Sequence, residues 1–175
     1  MSETVTVYKR MKDIPAEHLL APGTAMCAGC GGLQTLHEVQ DILGRDTVVV
    51  NAAGCMTLLS VYPYTPMPGS WLYTSMASAP AGAQGVRDAL DLLIEKGRLP
   101  RQEDLRVVVL SGDGAAYGMG LSATSAAIER GLDFLYLCYD NEGYGNTGQQ
   151  TSSATPHGAR TATRTGPAGY AGHKK

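Results

Sequence analysis

Val107-Val108-Val109-Leu110-Ser111-Gly112-Asp113-Gly114 is an apolar run that stops in Gly-Asp-Gly, and its reading decides the fold. Three consecutive β-branched valines bounded by glycine read as a buried strand. A second run, Phe134-Leu135-Tyr136-Leu137-Cys138-Tyr139, ends in Asp140-Asn141-Glu142-Gly143. Residues 119–130 between them read as a helix, which makes a strand–helix–strand unit, the building block of parallel sheets. Neighbouring parallel strands bring their carboxyl ends to one crevice. Asp113 and the amide oxygen of Asn141 are hard oxygen ligands of the kind Mg²⁺ prefers, and phosphate oxygens usually complete its octahedron. The glycines expose backbone N–H groups to a phosphate where the next helix starts. Gly-Asp-Gly alone also fits an ordinary strand-to-helix turn. Asp140-Asn141 at the end of the next strand favours a magnesium-bound diphosphate instead.

The rest of the chain is read outward from that unit. Leu33, Leu36, Val39 and Leu43 recur at helical spacing and predict a helix over 33–43, stopped by Gly44. Thr47 to Val50 is a short β-branched strand ending at Asn51-Ala-Ala-Gly54-Cys55. Prolines at 63, 66 and 68 predict a long tyrosine-rich loop from Tyr62 to Trp71, with a functional or interface role. Val86, Leu90 and Leu93 predict a helix over 82–96, closed by Gly97. Strands at 106–111 and 134–139 complete the set. Residues 1–23 read as an arm that wraps a neighbour, and 157–175 as an irregular tail. One α/β domain spanning 1–175 is expected, a mostly parallel sheet flanked by helices.

Bulk properties narrow the function. The 175 residues suffice for one domain with a core, and the formal charge of −2 gives no electrostatic case for nucleic acid or an anionic membrane. No apolar stretch approaches the roughly 20 residues of a membrane span, and no charged-then-apolar leader is seen. A soluble cytoplasmic protein is expected. The 22 glycines against one Phe and one Trp suit a core in which backbone approaches closely. Of the four cysteines, Cys27 and Cys30 form a Cys-x-x-Cys loop, which without a leader reads as a metal, cluster or redox site.

The Gly112-Asp113-Gly114 and Asp140-Asn141 segments resemble the thiamine diphosphate motif. Together with Cys27-Ala-Gly-Cys30-Gly, Asn51-Ala-Ala-Gly-Cys55, Tyr62-Pro-Tyr-Thr65 and the run from Asn146 to Pro156, the chain is similar to beta subunits of 2-oxoacid:ferredoxin oxidoreductases, the pyruvate branch above all. The likeness spans about 24 to 166 in matching order. It implies oxidative decarboxylation of a 2-oxoacid with acylation of coenzyme A, the electrons leaving through iron–sulfur clusters to ferredoxin. It implies Mg²⁺ on Asp113, Asn141 and the Gly143 carbonyl. Cofactor contacts fall to Gly112, Gly114, Ala115 and Thr147, and Asn146 becomes the catalytic residue beside the thiazolium. Cys27, Cys30 and Cys55 become three ligands of a [4Fe–4S] cluster. The resemblance also implies alpha, gamma and delta-type partner subunits, the alpha subunit supplying the glutamate that polarises the aminopyrimidine. Neither Glu142 nor Glu38 is assigned that role.

Two departures qualify the match. The fourth cluster thiolate comes, in the family, from a region beyond this chain's last residue, so a C-terminal truncation is expected. Mid-strand Cys138 reads as a small apolar filler. At Met76-Ala77-Ser78, relatives carry an aromatic, an acid and an amide, which leaves phenylglyoxylate or another 2-oxoacid open as substrate. A cluster-free thiamine diphosphate decarboxylase or carboligase half, and a scaffold without activity, are the rival readings. Among bland candidates, His37 reads as a solvated helix residue and Met56, Met67 and Met76 as packing. His157, Arg160 and Arg164 stand open between ligand contact and surface.

Overall fold

Four strands carry the fold: β1 (Thr47–Ala52), β2 (Ser70–Thr74), β3 (Arg106–Gly112) and β4 (Leu135–Tyr139). They lie in the order β2-β1-β3-β4, and every pair is parallel. The computed structural model describes residues 10–13, 18–101 and 105–165. Helix α1 (Gly31–Leu43) covers one face, while α2 (Ala79–Glu95) and α3 (Leu121–Arg130) lie together on the other. The molecule is thus an α/β domain with a parallel sheet sandwiched between helices.

The strand pleat sorts the core. Val49, Val108 and Leu110 turn to one face and join Leu36 of α1, Met56, Leu59 and Met67. Val50, Ala52, Val107 and Val109 turn to the other and meet Ala79 and Ala83 of α2. Both faces of the two central strands are therefore buried, and their sequences are apolar throughout instead of alternating. The alanines of α2 let that helix sit close to the sheet. Leu20 also enters the first cluster, and the Ala21 amide donates to the Pro66 carbonyl (2.9 Å), so the end of the N-terminal segment packs on this chain's own core. Residues 1–9, 14–17 and 166–175 lie outside the described residues, and with them most of the arm and the last part of the tail.

Three elements differ from the sequence expectation. Trp71 lies in a strand, not a loop: Ser70-Trp-Leu-Tyr-Thr74 pairs with β1 as an edge strand. Its β-prone residues begin just after Pro68, and the prolines mask them. Helix α2 starts at Ala79, because Pro80 is tolerated in a first helical turn, where its missing N–H costs nothing. The helix expected over 119–130 starts at Leu121, preceded by a π-turn at Gly114–Met119 with a backbone kink at Gly118. Thr124 Oγ1 spans the break, donating to the Ala116 carbonyl (3.2 Å) and meeting the Tyr136 hydroxyl (3.1 Å). Beyond β4 the chain forms two short hairpins, Gly143–Tyr144 with Gln150–Thr151 and Arg160–Thr161 with Arg164–Thr165. Among the described residues, no helix is long and apolar enough to cross a membrane.

A Cβ at Gly120 would lie 2.1 Å from the Ala115 carbonyl oxygen, which is backbone and cannot step aside. Gly120→Ala is therefore expected to destabilise by about 1–3 kcal/mol, the usual range for an overpacked site. Thermal unfolding checks this against Ser122→Ala, an exposed neighbour expected to change stability by less than about 0.5 kcal/mol.

Candidate functional site

The register sets the site. Gly112 of β3 stands opposite Tyr139 of β4, so the next residues, Asp113 and Asp140-Asn141, leave the sheet side by side. Asn51 of β1 stands opposite Leu110 and opposite Tyr73 of β2. The sheet grows one way from β1 to β2 and the other way through β3 to β4. A crevice opens at the carboxyl ends beside that switch, where α/β sheets hold ligands. A cavity of about 180 Å³ lies there. Gly112, Asp113, Gly114, Ala115, Asn141, Gly143, Asn146 and Thr147 all line it, as do Gly54 and Cys55 from the tip of β1.

Three polar groups converge inside. One end of the Asn141 amide stands 3.0 Å from Asp113 Oδ1 and 2.7 Å from the Gly143 carbonyl. Facing two acceptors, the amide nitrogen suits that end and donates to both oxygens. Turned the other way, the amide oxygen joins the two, and Nδ2 faces Cys55 Sγ at 3.9 Å. Three oxygens so arranged match a cation's needs: with Mg–O bonds of 2.0–2.1 Å, adjacent octahedral corners lie about 2.9 Å apart. An asparagine serves both arrangements.

Glu142, between these two groups, takes a left-handed backbone with φ of 60°. Its N–H donates to Asp140 Oδ1 (2.8 Å), and its carbonyl accepts from Thr155 Oγ1. Its side chain is exposed and does not line the cavity.

Glycine is required where aromatic rings close on the backbone. A Cβ on Gly114 would sit 2.2 Å from Cε1 of Tyr144, whose ring covers the start of the π-turn. Tyr139 lies beneath Gly112 and Gly54 with its hydroxyl near the Met56 N–H (3.5 Å). Burial pushes this phenol up to about 12, against the lowering effect of that N–H, so it stays neutral. Among the described residues no Lys, Arg or His lines the cavity. A polyanion there must be balanced by a cation and by N–H groups of the Gly114 turn, which start without intrahelical partners.

A second cavity, about 480 Å³, lies on the α1 side and is lined by Cys27, Cys30 and Cys55. Cys55, Tyr139 and Asn141 border both cavities. Desolvation raises the Cys55 thiol above its ordinary range, opposed by the Asn146 N–H and reinforced by the other two thiols. All four cysteines are free, and among the described residues no group of three or more His, Cys, Asp or Glu is gathered closely enough to hold a metal. On β4, Leu137 and Tyr139 face the α1 cluster, whereas Tyr136 faces the α2 cluster. Cys138 alternates with the former pair and accepts a hydrogen bond from the Tyr117 hydroxyl, which that bond helps to push up to about 12. Cys138 also borders the second cavity, together with the three loop cysteines.

Met76 lines the first cavity together with Thr57, while Tyr62 and Tyr64 of the proline-rich loop are 95% and 76% exposed and line neither. His157 and Arg160 are exposed and also line neither, His37 sets its ring edge against His18, and the Arg164 side chain lies outside the described part of the structure. The sequence reading missed Tyr73, Leu58 and Tyr144 on the cavity wall, and Ser152, whose hydroxyl donates to Asp113 Oδ2. No local pattern signals a contact across 39 residues.

Comparison with known proteins bears on this geometry. Residues 52–173 match the family described as thiamine pyrophosphate enzyme, C-terminal TPP-binding domain. The pyruvate synthase subunit PorB of Methanothermobacter thermautotrophicus is 43% identical over 86% of this chain and 50% of its own length. The ketoisovalerate oxidoreductase subunit VorB of Pyrococcus horikoshii is 38% identical over 90% of this chain and 50% of its own. The chain thus spans about half the length of the curated relatives it matches. A 2-oxoglutarate:ferredoxin oxidoreductase from Magnetococcus marinus shares the fold, with a TM-score of 0.64 at 23% identity over 86% of this chain and 49% of that one.

The left-handed residue generates a test. Glu142→Gly is expected to leave stability within about 1 kcal/mol of the parent, whereas Glu142→Val, β-branched at positive φ, is expected to cost about 1–3 kcal/mol. Denaturant titration of both variants measures the difference, and equal losses would show that backbone strain is not the limiting factor.

Proposed function

As this chain belongs to the thiamine pyrophosphate enzyme family through its C-terminal TPP-binding domain, we propose that it is the cofactor-binding part of a 2-oxoacid:ferredoxin oxidoreductase beta subunit. The reaction is the oxidative decarboxylation of pyruvate or a related 2-oxoacid to its acyl-coenzyme A, with ferredoxin as electron acceptor. The names of the pyruvate synthase and ketoisovalerate oxidoreductase relatives support that class. The observation that carries the reading is the convergence of Asp113, Asn141 and the Gly143 carbonyl beside the Gly112–Ala115 backbone.

Each residue has a task under this reading. Asp113, Asn141 and the Gly143 carbonyl hold Mg²⁺ by hard oxygen atoms, and Mg²⁺ neutralises the diphosphate. Backbone N–H groups at Gly112, Gly114 and Ala115, with Thr147, bind the phosphate oxygens. Asn146 orients the 2-oxoacid at the cavity mouth, and Leu58, Tyr73 and Met76 exclude water from the apolar wall. Thiamine diphosphate, when bound, supplies the carbon nucleophile and the electron sink. Cys27, Cys30 and Cys55 provide three thiolates for a [4Fe–4S] cluster, which needs four. The fourth, the activating glutamate and the coenzyme A contacts are assigned outside this chain's described residues, to further sequence or to alpha, gamma and delta-type partners. Phenylglyoxylate and other 2-oxoacids are the alternative substrates.

Among the described residues the three thiols do not form a group that could hold a metal, and this favours one second reading, a cluster-free thiamine diphosphate decarboxylase or carboligase half. Anaerobic purification separates the two. Iron with broad brown absorbance is expected, and a colourless protein that still binds the cofactor would select the second reading.

Asp113→Ala is expected to abolish magnesium-dependent thiamine diphosphate retention and leave the far-ultraviolet circular dichroism unchanged. Calorimetry on the assembled complex with and without Mg²⁺ checks this, and undiminished binding would overturn the assignment.

A further inference from the structure

We propose that Ser152 and Thr155 are positioning residues, a pair of buried hydroxyls latched across the tips of β3 and β4 that fixes which oxygens face the cation. The inference rests on the reading of Asp113, Asn141 and Gly143 as cation ligands. Neither hydroxyl lines the cavity, so both act through other groups.

Each hydroxyl accepts from a backbone N–H and donates toward a ligand-bearing tip, and the two oxygens lie 3.4 Å apart. Ser152 Oγ accepts from the Ala154 N–H (3.1 Å) and donates to Asp113 Oδ2. Thr155 Oγ1 accepts from the Ser152 N–H (2.8 Å) and donates to the Glu142 carbonyl. A hydroxyl has one proton to give, so each of these is committed. Burial protects the pair from competing water, with Ser152 and Thr155 only 4% and 2% exposed.

Both ligand-bearing tips are affected. Asp113 has one oxygen occupied by Ser152, and Oδ1 alone is turned to Asn141 and the site. One lone pair of Oδ2 is thereby taken, which favours single-oxygen ligation through Oδ1. Mg²⁺ accepts that in its tight octahedron, whereas Ca²⁺ readily takes both oxygens of a carboxylate. At β4, the left-handed Glu142 has its N–H held by Asp140 and its carbonyl held by Thr155, so the following carbonyl, Gly143, stays turned inward. The latch sets the geometry and the choice of ion without touching either.

The test uses the assembled complex, titrated with Mg²⁺ and separately with Ca²⁺ at fixed thiamine diphosphate, with cofactor retention as the readout. Ser152→Ala is expected to raise half-saturation for Mg²⁺ at least about tenfold and to shift the Mg²⁺/Ca²⁺ preference toward Ca²⁺. Ser152→Thr, which keeps the hydroxyl, is expected to restore both to within about threefold. Thr155→Val is expected to weaken Mg²⁺ likewise and Thr155→Ser to recover it, a second route should Ser152→Ala not assemble. A merely structural serine would lower the melting temperature and leave the ion preference alone, and that result overturns the proposal. Parent-like Mg²⁺ titration in Ser152→Ala overturns it too. If the parent complex itself retains no cofactor in a magnesium-dependent way, the functional reading fails and the latch falls with it.

Discussion

The parallel pairing of β3 with β4, Gly112 opposite Tyr139, is the constraint on which everything at the site depends. It puts Asp113 and Asn141, distant in sequence, on adjacent strand ends with no freedom to drift apart. The strands are held by apolar burial on both faces, where Val109 and Leu110 are fully enclosed. Hydrophobic burial is non-directional, but strand pairing converts it into a fixed spacing of polar groups. The core therefore carries the precision, and the loops beyond it carry the chemistry.

Charge management in the cavity is indirect. With no basic side chain on its wall among the described residues, the pocket offers carbonyl and carboxyl oxygens that attract a cation, and backbone N–H groups that meet an anion. Asp113 is enclosed, and its carboxylate is tolerated because hydrogen-bonding groups surround it, which is the condition for burying a charge. Asn141 mediates between this oxygen cluster and Cys55, the one cysteine that borders both cavities. The two chemistries proposed for the chain thus meet at a single amide.

Much of this was readable in the sequence because it is periodic or punctuated. The strands announce themselves by β-branched runs, α1 by its leucine spacing, and the site by glycines at strand ends. The features that escaped had no local signature. Ser70–Thr74 is an edge strand of five residues, half exposed and shadowed by prolines, so neither alternation nor a continuous apolar run marks it. The π-turn depends on Ala115 and Gly120 meeting across it, and glycines at 118 and 120 signal a break without saying of what kind. Ser152 is a serine among serines and threonines, and only folding brings it to Asp113. The residue types at the site were readable, but the groups that hold them in place were not.

The π-turn fixes the rotational phase of α3. An α-helix advances about 100° per residue, so losing one residue between Gly114 and Met119 would swing all of α3 by that angle. Ala127, now buried, would rotate away from its seat, and exposed side chains such as Ile128 and Leu121 would be carried round with it. This stretch can therefore vary its letters more easily than its count, and an insertion or deletion here would be felt along the entire helix.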